Sequence, residues 1–145
     1  MKVTGFEIYR LKPRWVFLKI MTDEGIDGWG ECISGTRTEA VVSCLEEAMG
    51  THVVGRDPQE IEDIWQCLYR YFFRGGPVHM TCVSGIEMAL WDIKGKALGA
   101  PVYQLLGGKA RDRIRVYSWI GGDRPSDAAA QALERLEGGF SAVKL

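Results

Sequence analysis

The chain opens with alternation and then changes period. Apolar and polar residues alternate through about 2–12 and 15–22. In the second stretch Val16, Leu18 and Ile20 fall on one face, and Trp15 and Phe17 on the other. A period of two predicts strands. Only the short connection at Pro13-Arg14 separates the two runs, and "TDEG" (22–25) reads as a hairpin turn with Gly25 suited to positive φ. "IDGWGEC" supplies a third strand. The first third is therefore expected to be a three-stranded antiparallel meander.

The pattern then becomes helical. Val41, Cys44, Leu45, Ala48 and Met49 form one stripe. "DPQE" (57–60) is a start signal: Asp57 can cap, Pro58 suits the first helical position, and Glu60 can complete a capping box. The stripe Ile61, Ile64, Trp65, Leu68, Phe72 follows, and "RGGP" (74–77) stops it. Pro77 can open a further helix whose stripe includes Ile86, Leu90, Ile93 and Ala97, with Gly99 as its C-terminal cap. Pro101 restarts a short turn that ends at Gly107-Gly108.

The last third changes again. "RIRVYSWI" (113–120) reads as a strand, Ala129, Ala132, Leu133 and Leu136 as a helix stripe, and "FSAVKL" (140–145) as a second strand. Strand–helix–strand with short connections is a βαβ unit, which implies parallel pairing. One such unit cannot bury itself. The expected organisation is an α+β domain over 1–110, followed by the start of an α/β domain over 111–145.

Composition narrows the function classes. The chain has 145 residues, 46% hydrophobic, with a net charge of −1 and both signs interspersed. That argues against a nucleic-acid partner, and no apolar run approaches a membrane span. The N-terminus lacks the apolar stretch of a signal peptide, so a cytoplasmic location is expected. Cys32, Cys44, Cys67 and Cys82 form no C-x-x-C pair and read as small core hydrophobes. His52 and His79 have no partner at ligand spacing and read as structural or exposed. Asp92 and Lys96 read as a surface i,i+4 pair. Gly85 and Gly95, each costing about 1 kcal/mol against alanine inside a helix, point to close helix packing.

Several stretches carry a resemblance: "GWGE" (28–31), "RGGP" (74–77), "GIEMALWDIKGKALGAPVYQLLGG" (85–108), "YSWIGGDRP" (117–125) and "FSAVKL". In this order they resemble the N-terminal part of the enolase superfamily, in its mandelate racemase/muconate lactonizing enzyme branch. "PRWVFLKI" and "YSWIGGDRP" are most similar to the galactonate dehydratases of that branch. The resemblance implies an enolase-like N-terminal capping domain followed by the truncated start of a TIM-type (β/α) barrel, with 113–120 and 140–145 as its first two strands. It also implies a Mg²⁺-dependent lyase, homo-oligomeric when full-length. The reaction would be proton abstraction next to the carboxylate of an aldonic acid such as D-galactonate, with loss of the 3-hydroxyl as water.

The same resemblance places expectations on single residues. In the family the metal ligands and the acid and base lie on later barrel strands, so no catalytic residue and no metal ligand is expected in these 145 residues, and the chain by itself is expected to be inactive. The loops after the first and third strands cap the barrel mouth, which makes Arg14, Trp15, Glu31 and Arg37 candidate substrate-binding residues. The short Pro13-Arg14 connection leaves room for a long polar substrate. Lys144 matches the first lysine of the K-x-K often found on the second barrel strand, a possible contact to the substrate carboxylate in a longer form. Tyr117 and Ser118, at the end of the first barrel-like strand, are lesser candidates. The alternatives are a racemase or cycloisomerase of the same superfamily, or a non-catalytic remnant serving as an interaction module.

Overall fold

The structure is a computed structural model that describes residues 1–71 and 75–145. Phe72, expected on a helix stripe, and Arg74 of "RGGP" lie outside the described residues. The chain forms two compact units, Met1–Gly108 and Lys109–Leu145.

In the first unit the alternating runs are strands β1 (Val3–Leu11), β2 (Trp15–Thr22) and β3 (Asp27–Glu31), paired antiparallel in that order. Gly25 turns the β2–β3 hairpin at φ 74°, and the Thr22 hydroxyl donates to the Ile26 carbonyl at 2.8 Å. Val16, Leu18 and Ile20 point into the core, as the alternation predicts. Against them pack α1 (Thr38–His52), α2 (Ile61–Tyr71) and the long α3 (Pro77–Leu98), through Val41, Leu45, Met49, Ile64, Leu68, Ile86, Leu90 and Ile93. A short α4 (Val102–Leu105) follows.

The ends of two helices test the capping arguments. Pro77 does open α3, and Gly99 closes it in the left-handed region at φ 63°. The stripe ends at Ile93, because Ala97 is exposed. The "DPQE" signal starts α2 later than expected. Asp57 accepts the Gln59 N–H at 3.0 Å and makes a turn of its own, while the Glu60 carbonyl takes the first helical bond, from Ile64 at 3.1 Å. A side-chain oxygen that can cap a helix can equally close a local turn.

The glycines of "GWGE" have a steric reason. A Cβ on Gly28 would lie 2.0 Å from the Ala89 carbonyl oxygen, and one on Gly30 would lie 1.9 Å from that of Gly85. Gly85 returns the requirement, since its own Cβ would meet Cys32 Sγ at 2.0 Å. Strand β3 and helix α3 thus touch backbone to backbone. Close packing does account for Gly85 and Gly95, but the neighbours are a strand and the chain at Ala100, not another helix.

Asp92 and Lys96 do more than pair with each other at 2.8 Å. Asp92 accepts the Trp29 N–H at 2.9 Å and Lys96 donates to the Asp27 carbonyl at 2.7 Å. β3 is an edge strand. These two side chains satisfy polar backbone groups that a bare edge would offer to another chain.

The second unit is a strand–helix–strand. β4 (Ser118–Trp119) and β5 (Val143–Lys144) pair in parallel on either side of α5 (Pro125–Glu137) in sequence. The parallel sense is the one the βαβ pattern predicts. The strands are far shorter than 113–120 and 140–145. Among the described residues each has a single neighbour, and the bonds at the ends of the pair run from Ser118 N–H to the Ala142 carbonyl at 3.1 Å and from Ile120 N–H to the Lys144 carbonyl at 2.8 Å.

Candidate functional site: the outer sheet face and the grooves beside α3

The alternation that buries Val16, Leu18 and Ile20 turns Trp15, Phe17 and Lys19 outward. Trp15, 39% exposed, stacks on Phe17 with centroids 6.3 Å apart and planes 4° from parallel. Phe17 lies directly opposite Glu31 in the β2–β3 register, so Trp15 and Glu31 flank one ring. Further along, Lys19 pairs with Asp27 at 2.9 Å, and that hydrogen bond raises the lysine pKa above its ordinary value. Tyr9 and Trp29 complete an aromatic and charged surface, their centroids 5.3 Å apart.

Glu31 also borders a groove of about 460 Å³ with Ile33, Met80, Ser84 and Met88. Arg37, exposed just before α1, borders a second groove of about 480 Å³ with Ser43, Cys44, Glu47 and His79. Pro77, the first residue of α3, belongs to both. The fold therefore brings Trp15 and Glu31 to one ring and sets Glu31 and Arg37 in neighbouring grooves. Arg14 is exposed in the β1–β2 turn and borders neither.

The candidates of the second unit meet one another. Lys144 Nζ sits 5.8 Å from the centre of the Tyr117 ring, a cation–π contact, and Lys144 pairs with Trp119 in the β4–β5 register. Ser118 is half-buried.

Reading the cysteines as small core hydrophobes and the histidines as lacking partners at ligand spacing misses two pairings. Cys44 Sγ lies 3.9 Å from His79 Nδ1, and Cys67 Sγ lies 3.8 Å from His52 Nδ1. The partners are 35 and 15 residues apart and join different helices, so no local spacing reveals them. Cys32 and Cys82 are fully buried, as expected. Burial pushes the Cys32 thiol up to about 12. Among the described residues no three His, Cys, Asp or Glu side chains are grouped to hold a metal ion. No described helix is long and apolar enough to cross a membrane.

A three-stranded meander backed by this helical set is the N-terminal capping domain of the enolase superfamily. A member of that superfamily from Salmonella Typhimurium superimposes with a TM-score of 0.89 at 35% identity, over 99% of this chain and 41% of that one. Residues 9–107 match the N-terminal domain of mandelate racemase/muconate lactonizing enzymes, and the chain belongs to that family. It is 56% identical to D-galactonate dehydratase of Pectobacterium atrosepticum, covering 100% of this chain and 38% of that protein. Identity to D-galactonate dehydratase of Variovorax paradoxus is 53%, with the same coverage. The chain thus spans 38% of the length of these curated relatives.

Proposed function

We propose that this chain is the capping part of an acid-sugar dehydratase that takes an aldonic acid such as D-galactonate, with 1–110 as the cap and 111–145 as the start of a barrel. The observation that carries this reading is the 53–56% identity to D-galactonate dehydratases across the whole chain. The reaction is proton abstraction next to the substrate carboxylate, followed by departure of the 3-hydroxyl as water.

In this reading the cap supplies recognition. Arg14 and Arg37 present planar guanidinium groups suited to a carboxylate or to several hydroxyls. Glu31 accepts hydrogen bonds from substrate hydroxyls, and Trp15 offers an apolar face to the carbon chain. Lys144 pairs with the substrate carboxylate. The described residues offer no ligand set for magnesium, the cofactor the resemblance implies, and these roles do not depend on one. The working protein is a cytoplasmic homo-oligomer.

A chimera tests the proposal. Residues 1–145 replace the matching 38% of the Pectobacterium enzyme, and a panel of aldonic acids is screened for 2-keto-3-deoxy products. Dehydration of D-galactonate is expected. A folded chimera that turns over mandelate or a muconate, and no sugar acid, overturns the reading.

A further inference from the structure

The groove beside Arg37 holds a pair of groups that capping a sugar-acid site does not use. Cys44, on α1, is half-buried and borders the groove. His79, on α3, is 6% exposed and sits 3.9 Å away through Nδ1. Its other nitrogen, Nε2, lies 3.0 Å from the Leu68 main-chain carbonyl. A carbonyl oxygen can only accept, so Nε2 carries a proton. In the neutral ring Nδ1 is then the unprotonated nitrogen, able to accept, and the thiol sulfur lies 3.9 Å from it. Among the described residues, the other ionisable groups near the pair are Cys82 on α3, Glu47 on α1, and Arg37 just before α1.

We propose that Cys44 and His79 form a nucleophilic dyad, a covalent modification site for small α,β-unsaturated carbonyl compounds that enter this groove. The thiol proton passes to Nδ1. The thiolate sulfur attacks the β-carbon, a C–S bond forms, and the π pair moves to the α-carbon. That carbon then takes the proton back from His79, so the adduct needs no other reactant. The electrostatics agree. The neighbouring Cys82 thiol, which itself donates to the Val41 carbonyl at 3.4 Å, and then the His79 ring hold Cys44 down at about 6, against the burial and the Glu47 charge that oppose it. Cys82 is pushed up and, fully buried, stays protonated. Cys32 is likewise buried. Cys67, half-buried beside His52, is the natural competitor within the same chain.

The test is N-ethylmaleimide labelling of the 145-residue chain, each cysteine's rate being read by peptide mass mapping, with the urea-unfolded chain as reference. An ordinary thiol near 8.5 gains about 75-fold in thiolate, and so in rate, between pH 6 and pH 8. A thiol at about 6 gains only about twofold over that interval. Access to the groove cancels from this ratio. Cys44 is expected to label first at pH 6 and to show the flat profile, and His79→Gln should make that profile steeper with the fold intact by circular dichroism. A steep profile for Cys44 in the folded wild-type chain, or labelling of Cys67 ahead of it at pH 6, overturns the proposal whether or not the variant folds.

Discussion

Replacing Gly30 by alanine should cost this chain a large part of its stability, and the geometry sets the size. The new Cβ would stand 1.9 Å from the Gly85 carbonyl oxygen and 2.8 Å from the carbonyl carbon. A tolerated carbon–oxygen approach is roughly 3.3 Å, so strand and helix must separate by about 1.4 Å. Both clashing atoms are backbone, and no side chain can rotate away. The displacement propagates to Leu18, which pairs with Gly30, and to Ile86, both fully buried. Overpacking a closed core costs about 1–3 kcal/mol, and a backbone clash belongs at the upper end, about 3 kcal/mol. Gly50 is the control. It lies in α1, exposed, with nothing within 4 Å of its would-be Cβ. There alanine should stabilise by about 0.5–1 kcal/mol through reduced backbone freedom of the unfolded chain. Urea unfolding followed by circular dichroism separates the two variants by about 4 kcal/mol if the argument holds. A Gly30→Ala cost under about 1 kcal/mol, or midpoints that move the same way for both glycines, refutes it.

Asp92→Ala leaves the Trp29 N–H without its acceptor and should cost about 1–2 kcal/mol, with faster hydrogen exchange at that amide than at Lys19. Cys32 predicts a pH dependence. Its folded pKa is raised from 9.0 to about 12, so the unfolded chain loses this proton first and stability falls as pH climbs above 9. The penalty for Cys32→Ala should therefore shrink by about 1.4 kcal/mol per pH unit above that point, seen as converging urea midpoints. Calorimetric titration of the chain with Mg²⁺ should show no stoichiometric site, and a micromolar one would contradict the absence of a ligand cluster among the described residues. Val116, Tyr117, Trp119 and Leu133 are each more than half exposed, so the chain should self-associate more than a version ending at Gly108 in size-exclusion chromatography.

The sequence carried the fold wherever one local rule decided an element. Val16, Leu18 and Ile20 could face only one way, and Pro77 and Gly99 bracket a helix that has those ends. Where two local rules competed, the text was ambiguous. Asp57 had the chemistry for either a cap or a turn, and only packing selected the turn. The short β4 and β5 show a different limit, because a strand's length depends on its neighbours and not on its own residues. The candidate site was legible residue by residue and illegible as an arrangement. That Trp15 and Glu31 share the Phe17 ring follows from pairing register. The Cys44–His79 contact depends on how two helices lie against each other, and no spacing along the chain encodes that.

The backbone contact between β3 and α3 has a mechanical meaning. Gly28 meets Ala89, and Gly30 meets Gly85. Two residues of strand advance about 6.8 Å and four residues of helix about 6.0 Å, so the two repeats nearly match. They engage like a rack with two teeth, and the hydrogen bonds of Asp92 and Lys96 to Trp29 and Asp27 pin the far end. A slip of one strand residue would drive the Trp29 side chain into the helix backbone. The longest helix and the edge strand have no sliding freedom between them, and whatever moves the helix along its axis must carry the sheet with it.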